Sequence, residues 1–407
     1  MSEGPPVEAK LLKAPWRTAT VADVCDMRNG HGFGPEDWTD HGLPIIRIQN
    51  LNGNKNFDYF AGQPDPRWLV EPGQLLFAWA GTKGVSFGPT IWRGPVGVLN
   101  QHIFKVYPKD GIDAGWLYWA LRHVTDRIEG SAHGFKATLV HVKKSDIDGQ
   151  IVHVPGLVEQ RRMSNVLSTW DSAISVAEQL ASNACSHQAA LIARTLISEA
   201  KAGRWPMRRI SDIATRVQRR ASGDKELPVL MISSASGFVR QDQMYGRYMA
   251  GKSVENYIAL EEREFAYNKG NSKRYEFGCV FPLKGVQRGL VPHVYVCFRL
   301  RDELNASYFE HLFAADYLRD QLGALVNTGV RNNGLLNIRP GDFMACRVPV
   351  PPPDEQQRIA ARLTIAAEWT RRQEGLVSRL RDEKAAVMAD LLTGRRRVLL
   401  SPVESQR

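Results

Sequence analysis

Leu43-Pro44-Ile45-Ile46-Arg47-Ile48-Gln49-Asn50-Leu51-Asn52-Gly53 returns as Leu227-Pro228-Val229-Leu230-Met231-Ile232-Ser233-Ser234-Ala235-Ser236-Gly237. The apolar skeleton and the closing glycine are kept, and the polar residues between them change. A duplicated scaffold with altered polar positions suits a protein that makes one kind of contact at two places with two different readings.

The echo continues in order on both sides. Trp16…Asp23-Val24 matches Trp205…Asp212-Ile213, and Phe77-Ala78-Trp79 matches Phe265-Ala266-Tyr267. Leu139…Val142…Asp146-Ile147 matches Leu335…Ile338…Asp342-Phe343. Val154-Pro155…Glu159-Gln160-Arg161-Arg162-Met163 matches Val350-Pro351…Glu355-Gln356-Gln357-Arg358-Ile359. The offset drifts between 184 and 196 and is constant at 196 from Leu139 onward. Loops with insertions inside a fixed framework behave this way. So long a period excludes a solenoid and indicates two duplicated domains, each with a following segment.

Those following segments differ in kind. From about Glu159 to Glu199, and from about Asp354 to Leu392, glycine is nearly absent and Ala, Leu, Arg, Gln and Glu dominate. Alternating steps of four and three pick out Met163, Leu167, Trp170, Ile174, Ala177, Ala181, Ala184, Gln188, Leu191 and Thr195 in the first. In the second they pick out Ile359, Leu363, Ala366, Thr370, Gln373, Val377, Leu380, Lys384, Val387 and Leu391. Each is the a/d seam of a pairing helix. The central alanines allow two helix backbones to approach closely. Pro351-Pro352-Pro353 before Asp354 supplies a rigid entry and an N-cap, and Gly203 and Gly394 supply the stops. Ordinary surface helices average about three turns, whereas each of these extends to roughly ten.

The domains before the helices read as β-rich. Short apolar runs are cut by Gly, Pro and Asn at Leu43–Ile48, Gln74–Ala80, Gly97–Val106, Val229–Ile232 and Val291–Leu300. Ala114–Ile128 and Ala306–Leu325 read as short helical stretches. The expected class is α+β, two β-rich domains each followed by a long helix, with the helices pairing as an antiparallel coiled coil. The expected division is 1–155, helix 156–203, 204–350, helix 351–398 and a loose tail 399–407. Met1–Lys13 also reads as a loose end.

Composition narrows the function. The formal net charge is +10 over 407 residues and the isoelectric point is about 9.4, which favours a polyanionic partner. The five cysteines are far apart, without a Cys-x-x-Cys pair, so neither a disulfide framework nor a zinc site is expected, and a cytoplasmic setting is. Signal-like and spanning-length apolar runs are not found.

Catalytic motifs fail on their mechanics. Gly246-Arg247-Tyr248-Met249-Ala250-Gly251-Lys252-Ser253 spells the phosphate-loop pattern. That loop needs a buried strand entering it and small residues so that backbone N–H groups close on phosphates. Here the approach is Val239-Arg240-Gln241-Asp242-Gln243-Met244-Tyr245, and the interior holds Arg, Tyr and Met. A solvated turn fits better than an NTPase. Gly32-Phe33-Gly34-Pro35 is too short for a cofactor loop, and no Asn-Pro-Pro or His-Glu-x-x-His site occurs. An acidic pair of Asp65 with Glu199-Ala200-Lys201 falls in different segments. No catalytic residue, cofactor or metal ligand is assigned.

Nucleic-acid contact is the better reading. Arg and Lys bridge guanine O6/N7, Asn and Gln bridge adenine N6/N7, and cations neutralise phosphates. The first domain offers Arg47, Gln49, Asn50, Asn52, Lys55, Asn56, Lys83, Asn100, Gln101, His102 and Lys136. The second offers Ser233, Ser234, Lys269, Asn271, Lys273, Arg274, Lys284, Arg288, Arg331, Asn332 and Asn333. Trp16 and Trp205 are read as packing residues.

These features together resemble the specificity subunit of type I restriction–modification enzymes. The carrying residues are Leu43–Ile48, Gly97-Val98-Leu99-Asn100-Gln101, Val154-Pro155 with Glu159-Gln160, and Leu227–Leu230. Tyr257…Phe265-Ala266-Tyr267-Asn268, Val350–Ile359 and the closing Leu391-Leu392-Thr393-Gly394-Arg395-Arg396-Arg397-Val398 complete the set. Thr195-Leu196-Ile197-Ser198-Glu199-Ala200-Lys201-Ala202-Gly203 keeps only a degraded form of that ending. The resemblance implies two target-recognition domains that read the halves of a bipartite, asymmetric site in double-stranded DNA. It implies a helical spacer on which two methyltransferase subunits dock. Those partners, not this chain, bind S-adenosylmethionine and methylate adenine N6, and a motor–nuclease subunit joins for cleavage. Roughly forty helical residues at about 1.5 Å each span about 60 Å, nearly two turns of B-DNA at about 3.4 Å per base pair. A protein-interaction scaffold is the competing class, separated from a DNA reader by salt-sensitive, sequence-selective duplex binding.

Overall fold

The computed structural model describes residues 16–131, 139–221, 227–242, 255–326 and 336–398. The chain forms two compact units, residues 1–177 with 376–407, and residues 178–375. Each unit therefore takes one end of each long helix, so compactness cuts across the sequential division into domain, helix, domain and helix.

In the first unit Arg17–Thr20 pairs antiparallel with Ile151–Val154. A four-stranded sheet follows in the order Cys25–Asn29, Ile103–Pro108, Leu75–Ala78, Gly88–Ile91. A second sheet runs Tyr59–Phe60, Leu43–Ile46, Gly97–Leu99, Leu69–Val70. Helix Ala114–Ser131 covers the first sheet with Trp116, Leu117 and Leu121, against Phe77, Phe104 and Val106. Met163 and Leu167 from the start of the first long helix, and Met388, Leu391 and Leu392 from the end of the second, enter the same core.

The second unit repeats this plan. Met207–Arg209 pairs with Arg347–Pro349, and the four-stranded sheet runs Ala214–Arg216, Val296–Leu300, Phe265–Asn268, Cys279–Pro282. Tyr308, Phe309 and Leu312 cover it from helix Ala306–Ala314, while Leu196 and Ala200 meet Ile359, Ala360 and Leu363 of the second long helix. In each unit the start of one long helix thus meets the end of the other, which is antiparallel pairing.

The first long helix is α-helical over Leu157–Ile192, π-helical over Ala193–Ser198 and α-helical again over Glu199–Lys201; the second spans Pro353–Leu392. Every position of both a/d seams is buried or half-buried. Gly203 and Gly394 end them with φ of 68° and 76°, the left-handed stop that only glycine adopts without cost.

Four expected elements differ in detail. Gly97–Val106 is two strands turning at Asn100–His102, and in Val291–Leu300 the first strand ends at Val291, before Pro292, whose missing N–H cannot continue a ladder. Ala306–Leu325 is two helices, Ala306–Ala314 and Arg319–Leu325, parted by left-handed Asp316 at φ 54°. Gln74–Ala80 is a strand over Leu75–Ala78, followed by Ala80–Thr82.

A fifth difference is in the opening repeat itself. In the first copy the strand stops at Ile46, and Ile48–Leu51 makes one helical turn. Asn50 causes this: its Oδ1 accepts the Arg47 N–H at 2.9 Å, and its amide donates to the carbonyls of Asn54 at 3.1 Å and Asn56 at 2.9 Å. The second copy has the shorter Ser234 there, and Leu230–Ser233 continues into a hairpin with Gly237–Arg240. Both closing glycines hold positive φ, 87° at Gly53 and 74° at Gly237. Backbone geometry is therefore why that letter is kept in both copies.

The Phe77/Phe265 match is slipped by two residues. Gly73 donates its N–H to the Trp92 carbonyl and Trp92 donates back to Gln74; Arg263 and Leu283, then Leu283 and Glu264, repeat the pattern. Gly73 thus corresponds to Arg263, and Phe77 to Tyr267. A two-residue slip keeps every side chain on the same face of a strand, so the apolar pattern alone cannot detect it.

Candidate nucleic-acid interface

The central strands Leu75–Ala78 and Phe265–Asn268 end at equivalent places, and the candidate residues gather beyond those ends. In the first unit Trp79 follows the strand. Its indole N–H donates to the Gln101 carbonyl at 3.2 Å, and its ring lies 5.2 Å from His102 and 4.9 Å from His141. Asn100 donates its backbone N–H to Ile46 and forms a bridge with His31. The His31 ring stacks on Trp68 with centroids 3.9 Å apart. The Gln101 side chain lies over Gly32, where an added Cβ would stand 2.8 Å from its Oε1. Asn100, Gln101 and His102 are therefore brought together, with Trp79, His31 and His141 beside them.

Arg47 lies next to this group but is held. Its guanidinium sits 4.4 Å from the Trp38 ring and pairs with Asp58 at 2.6 Å. Trp38 is 42% exposed, so an aromatic face and a fixed cation stand together at the surface. Gln49, Asn52, Lys55 and Asn56 are exposed on the adjoining turn and loop. Asn50 corrects the sequence expectation. It is 5% exposed and its polar atoms bind the backbone described above, so it shapes the loop and presents nothing to a base. Lys83 donates to the Glu129 carbonyl at 2.7 Å, and the Glu129 carboxylate accepts the Gly84 N–H at 2.8 Å, which ties this turn to the helix end.

In the second unit Lys269 follows the strand, half-buried beside Arg216. Burial, with help from that arginine, pulls its ammonium below the usual lysine range. Asn271, Lys273 and Arg274 are exposed in the same loop, and Arg274 lies over Tyr275. Ser233 and Ser234 sit in the hairpin turn, where Ser233 Oγ accepts the Ala235 N–H at 3.3 Å. Lys284 and Arg288 belong elsewhere. Arg288 lies opposite Glu261, and Lys284 follows the Leu283 that bonds Arg263, at the other end of the central strand. Lys284 is paired with Glu310 at 2.5 Å. They do not join the Lys269 group. Lys136, Arg331, Asn332 and Asn333, like Gly246–Ser253, lie outside the described residues.

Sequence reasoning did not select Trp79, His31, His141, Trp38 or Arg216. The interleaving of His and aromatic residues around Gly30-His31-Gly32-Phe33 was the available signal. The duplicated Glu-Gln, read only as a motif, is a joint between domain and helix. Glu159 accepts the Trp16 indole N–H at 3.1 Å, and Glu355 accepts that of Trp205 at 3.0 Å. Gln160 accepts the Asp113 N–H and donates to the Gly111 and Pro155 carbonyls. Gln356 accepts the Asn305 N–H and donates to the Pro351 carbonyl. The two tryptophans do pack, and each also anchors a helix start.

Among the described residues no three His, Cys, Asp or Glu side chains group as a metal site, and no helix is long and apolar enough to cross a membrane.

Comparison with known proteins agrees with this architecture. Residues 13–183 match the family described as type I restriction modification DNA specificity domain. The type I restriction enzyme EcoBI specificity subunit of Escherichia coli is 25% identical over 157 residues, 38% of this chain. The match spans 32%, about a third, of that relative's length. A type I restriction–modification S subunit from M. genitalium superposes with a TM-score of 0.56 at 14% identity, over 93% of this chain and 96% of that one. A structure described as showing complex assembly and conformational transition of the type I R-M system superposes at 0.52 and 14% identity, over 94% and 98%. These two likenesses show the fold. Residues 13–183 are thus similar to the type I restriction modification DNA specificity domain, and nearly the whole chain shares the fold of the M. genitalium S subunit.

Proposed function

We propose that this chain is the non-catalytic DNA-recognition subunit of a type I restriction–modification complex. Each unit reads one half of a bipartite, asymmetric site in double-stranded DNA. The paired helices set the half-site spacing and receive two methyltransferase subunits, which supply S-adenosylmethionine and the chemistry on adenine; a motor–nuclease subunit completes the complex for cleavage. The observation that carries this reading is duplication with local divergence. The four-stranded sheet, its covering helix and the Trp–Glu joint recur in both units, while Asn50 closes a helical turn where Ser233 and Ser234 make a hairpin. The equivalent strand ends carry different chemistry, His and aromatic groups in one and Lys, Arg and Asn in the other.

The test is duplex binding by the assembled methyltransferase complex. Affinity is expected to fall steeply with salt and to keep a preference for one bipartite sequence. Removing one heptad from each long helix is expected to change the spacing and leave each half-site intact. Altered half-sites at unchanged spacing would overturn the spacer role.

A further inference from the structure

A cleft stands beside the Trp–Glu joint in both units, but among the described residues an arginine clamps the joint carboxylate only in the first. In the first, Arg397 binds the Glu159 carboxylate through two nitrogens, Nε at 3.0 Å and Nη2 at 2.6 Å, and lies 5.5 Å from the Trp16 ring centre. In the second, Glu355 carries the Trp205 indole, and a cleft of about 290 Å³ stands beside it. Arg194 and Arg362 from the two long helices, Arg358 one turn before Arg362, and Arg204 from the connection line this cleft. Arg204 is held by Glu199 at 2.8 Å and Arg358 by Asp354 at 3.1 Å, each through one nitrogen. Arg194 and Arg362 have no ion-pair partner among the described residues.

Four guanidinium groups stand against the two lining carboxylates, Glu199 and Glu355, and against Asp354, which holds Arg358 from outside the cleft, so a formal excess of one positive charge remains. Guanidinium forks match the tetrahedral oxygens of phosphate and stay charged at every physiological pH. Arg194 and Thr195 of the cleft wall belong to the π-helical stretch Ala193–Ser198, a backbone feature concentrated at functional sites. We propose that this cleft binds a phosphate dianion, free or carried by a small phosphorylated ligand, between Arg194, Arg204, Arg358 and Arg362.

Position separates this site from the DNA surface. Asn305, just past strand Val296–Leu300, donates to Gln356 at the foot of the second long helix, so the joint lies toward the Leu300 end. The Lys269 group lies toward the Val296 end, opposite Tyr267. Duplex DNA across the candidate interface does not need these arginines.

The test is titration of inorganic phosphate into the full-length chain by calorimetry, with ionic strength held by sodium chloride. The wild type is expected to bind at a single site. Arg194→Gln with Arg362→Gln is expected to weaken binding at least tenfold, and Arg194→Lys with Arg362→Lys to recover part of it. Thermal unfolding of each variant without phosphate checks that the fold is intact. Absence of binding in the wild type, or equal binding by the double Gln variant, overturns the proposal. A second arm measures duplex binding against salt. If the double Gln variant lowers the slope of log K on log salt by about 1.8, two phosphate contacts at about 0.9 each, the arginines serve the DNA backbone and the small-ligand site is overturned.

Discussion

Arg263 stands in the second domain where Gly73 stands in the first, and both hold left-handed backbone, at φ 70° and 93°. The paired bonds to Leu283 and Trp92 fix the correspondence. Left-handed backbone costs an L-residue roughly 1–2 kcal/mol, partly offset because glycine loses about 0.5–1 kcal/mol more chain entropy on folding. Arg263→Gly is expected to leave stability unchanged or raise it by up to about 1 kcal/mol. Gly73→Ala, where an added Cβ meets nothing within 4 Å, is expected to lose up to about 1.5 kcal/mol through the backbone alone, once the same entropy offset is counted. Urea denaturation of the two variants checks both signs; a clear loss in Arg263→Gly would show that the side chain itself holds the turn.

The Arg397–Glu159 pair ties the segment just past the end of the second long helix to the first turn of the first. Glu159 is nearly buried, whereas Arg397 is about a third exposed, which reduces the pair's value. Arg397→Met leaves the carboxylate with the Trp16 indole alone and is expected to cost about 1–2 kcal/mol. Adding Glu159→Gln should return part of that loss, and a double-mutant cycle measures how much. Strict additivity of the two losses would show that the pair contributes nothing.

Gln160 and Gln356 occupy the same place in the two joints but make unequal numbers of bonds. Gln160 satisfies one N–H and two carbonyls, Gln356 one of each. At about 1 kcal/mol per bond, Gln160→Leu is expected to lose about 3 kcal/mol and Gln356→Leu about 2. The order of the two losses in denaturant is the decisive result, and the reverse order would contradict the bond assignment.

Asp316 couples stability to pH. Burial raises its carboxyl to about 6, with Arg319 opposing. The unfolded group titrates near 3.9, so the folded state binds the proton more tightly, and stability falls as pH rises from about 4 to 6 and then levels. Because the side chain is half-exposed, screening limits the effect to about 1 kcal/mol. Asp316→Asn removes the charge and suits the left-handed backbone at φ 54°. It is expected to raise the melting temperature at pH 8 and to leave it unchanged at pH 4. An equal shift at both pH values would point to backbone rather than charge.

Much of the fold is legible in the sequence because duplication turns a single chain into two aligned ones. The Trp16/Trp205, Asp23/Asp212 and Glu159/Glu355 pairs locate equivalent elements, and the a/d steps locate both seams. What escaped has physical causes. The Phe77/Tyr267 equivalence hid behind a slip of two, which a period-two pattern tolerates. Arg263 hid because a residue held at positive φ leaves no trace when it is not glycine. Asn50 looked like a base reader because polarity in sequence does not reveal where an amide points. Trp79 and His141 were invisible as a group because they meet only across a sheet, 62 residues apart.

Gln49 and Asn50 are adjacent and similar in chemistry, yet the fold separates their roles. Asn50 closes three backbone bonds from a buried position. Asn50→Ala is expected to lose about 2–3 kcal/mol and to disturb DNA binding only through the loop. Gln49 is exposed on the turn that Asn50 organises. If that turn reads bases, Gln49→Ala leaves stability and the salt slope unchanged and relaxes preference at one position of one half-site, by about 1–3 kcal/mol for a lost bidentate contact. Lys55→Ala, beside it, instead weakens all sequences alike and lowers the salt slope by about 0.9. Selection of bound sites from a randomised duplex pool, repeated at two salt concentrations, separates the three. Unchanged sequence preference in Gln49→Ala would remove this turn from the reading surface and leave the Trp79–Gln101 end to carry the first half-site.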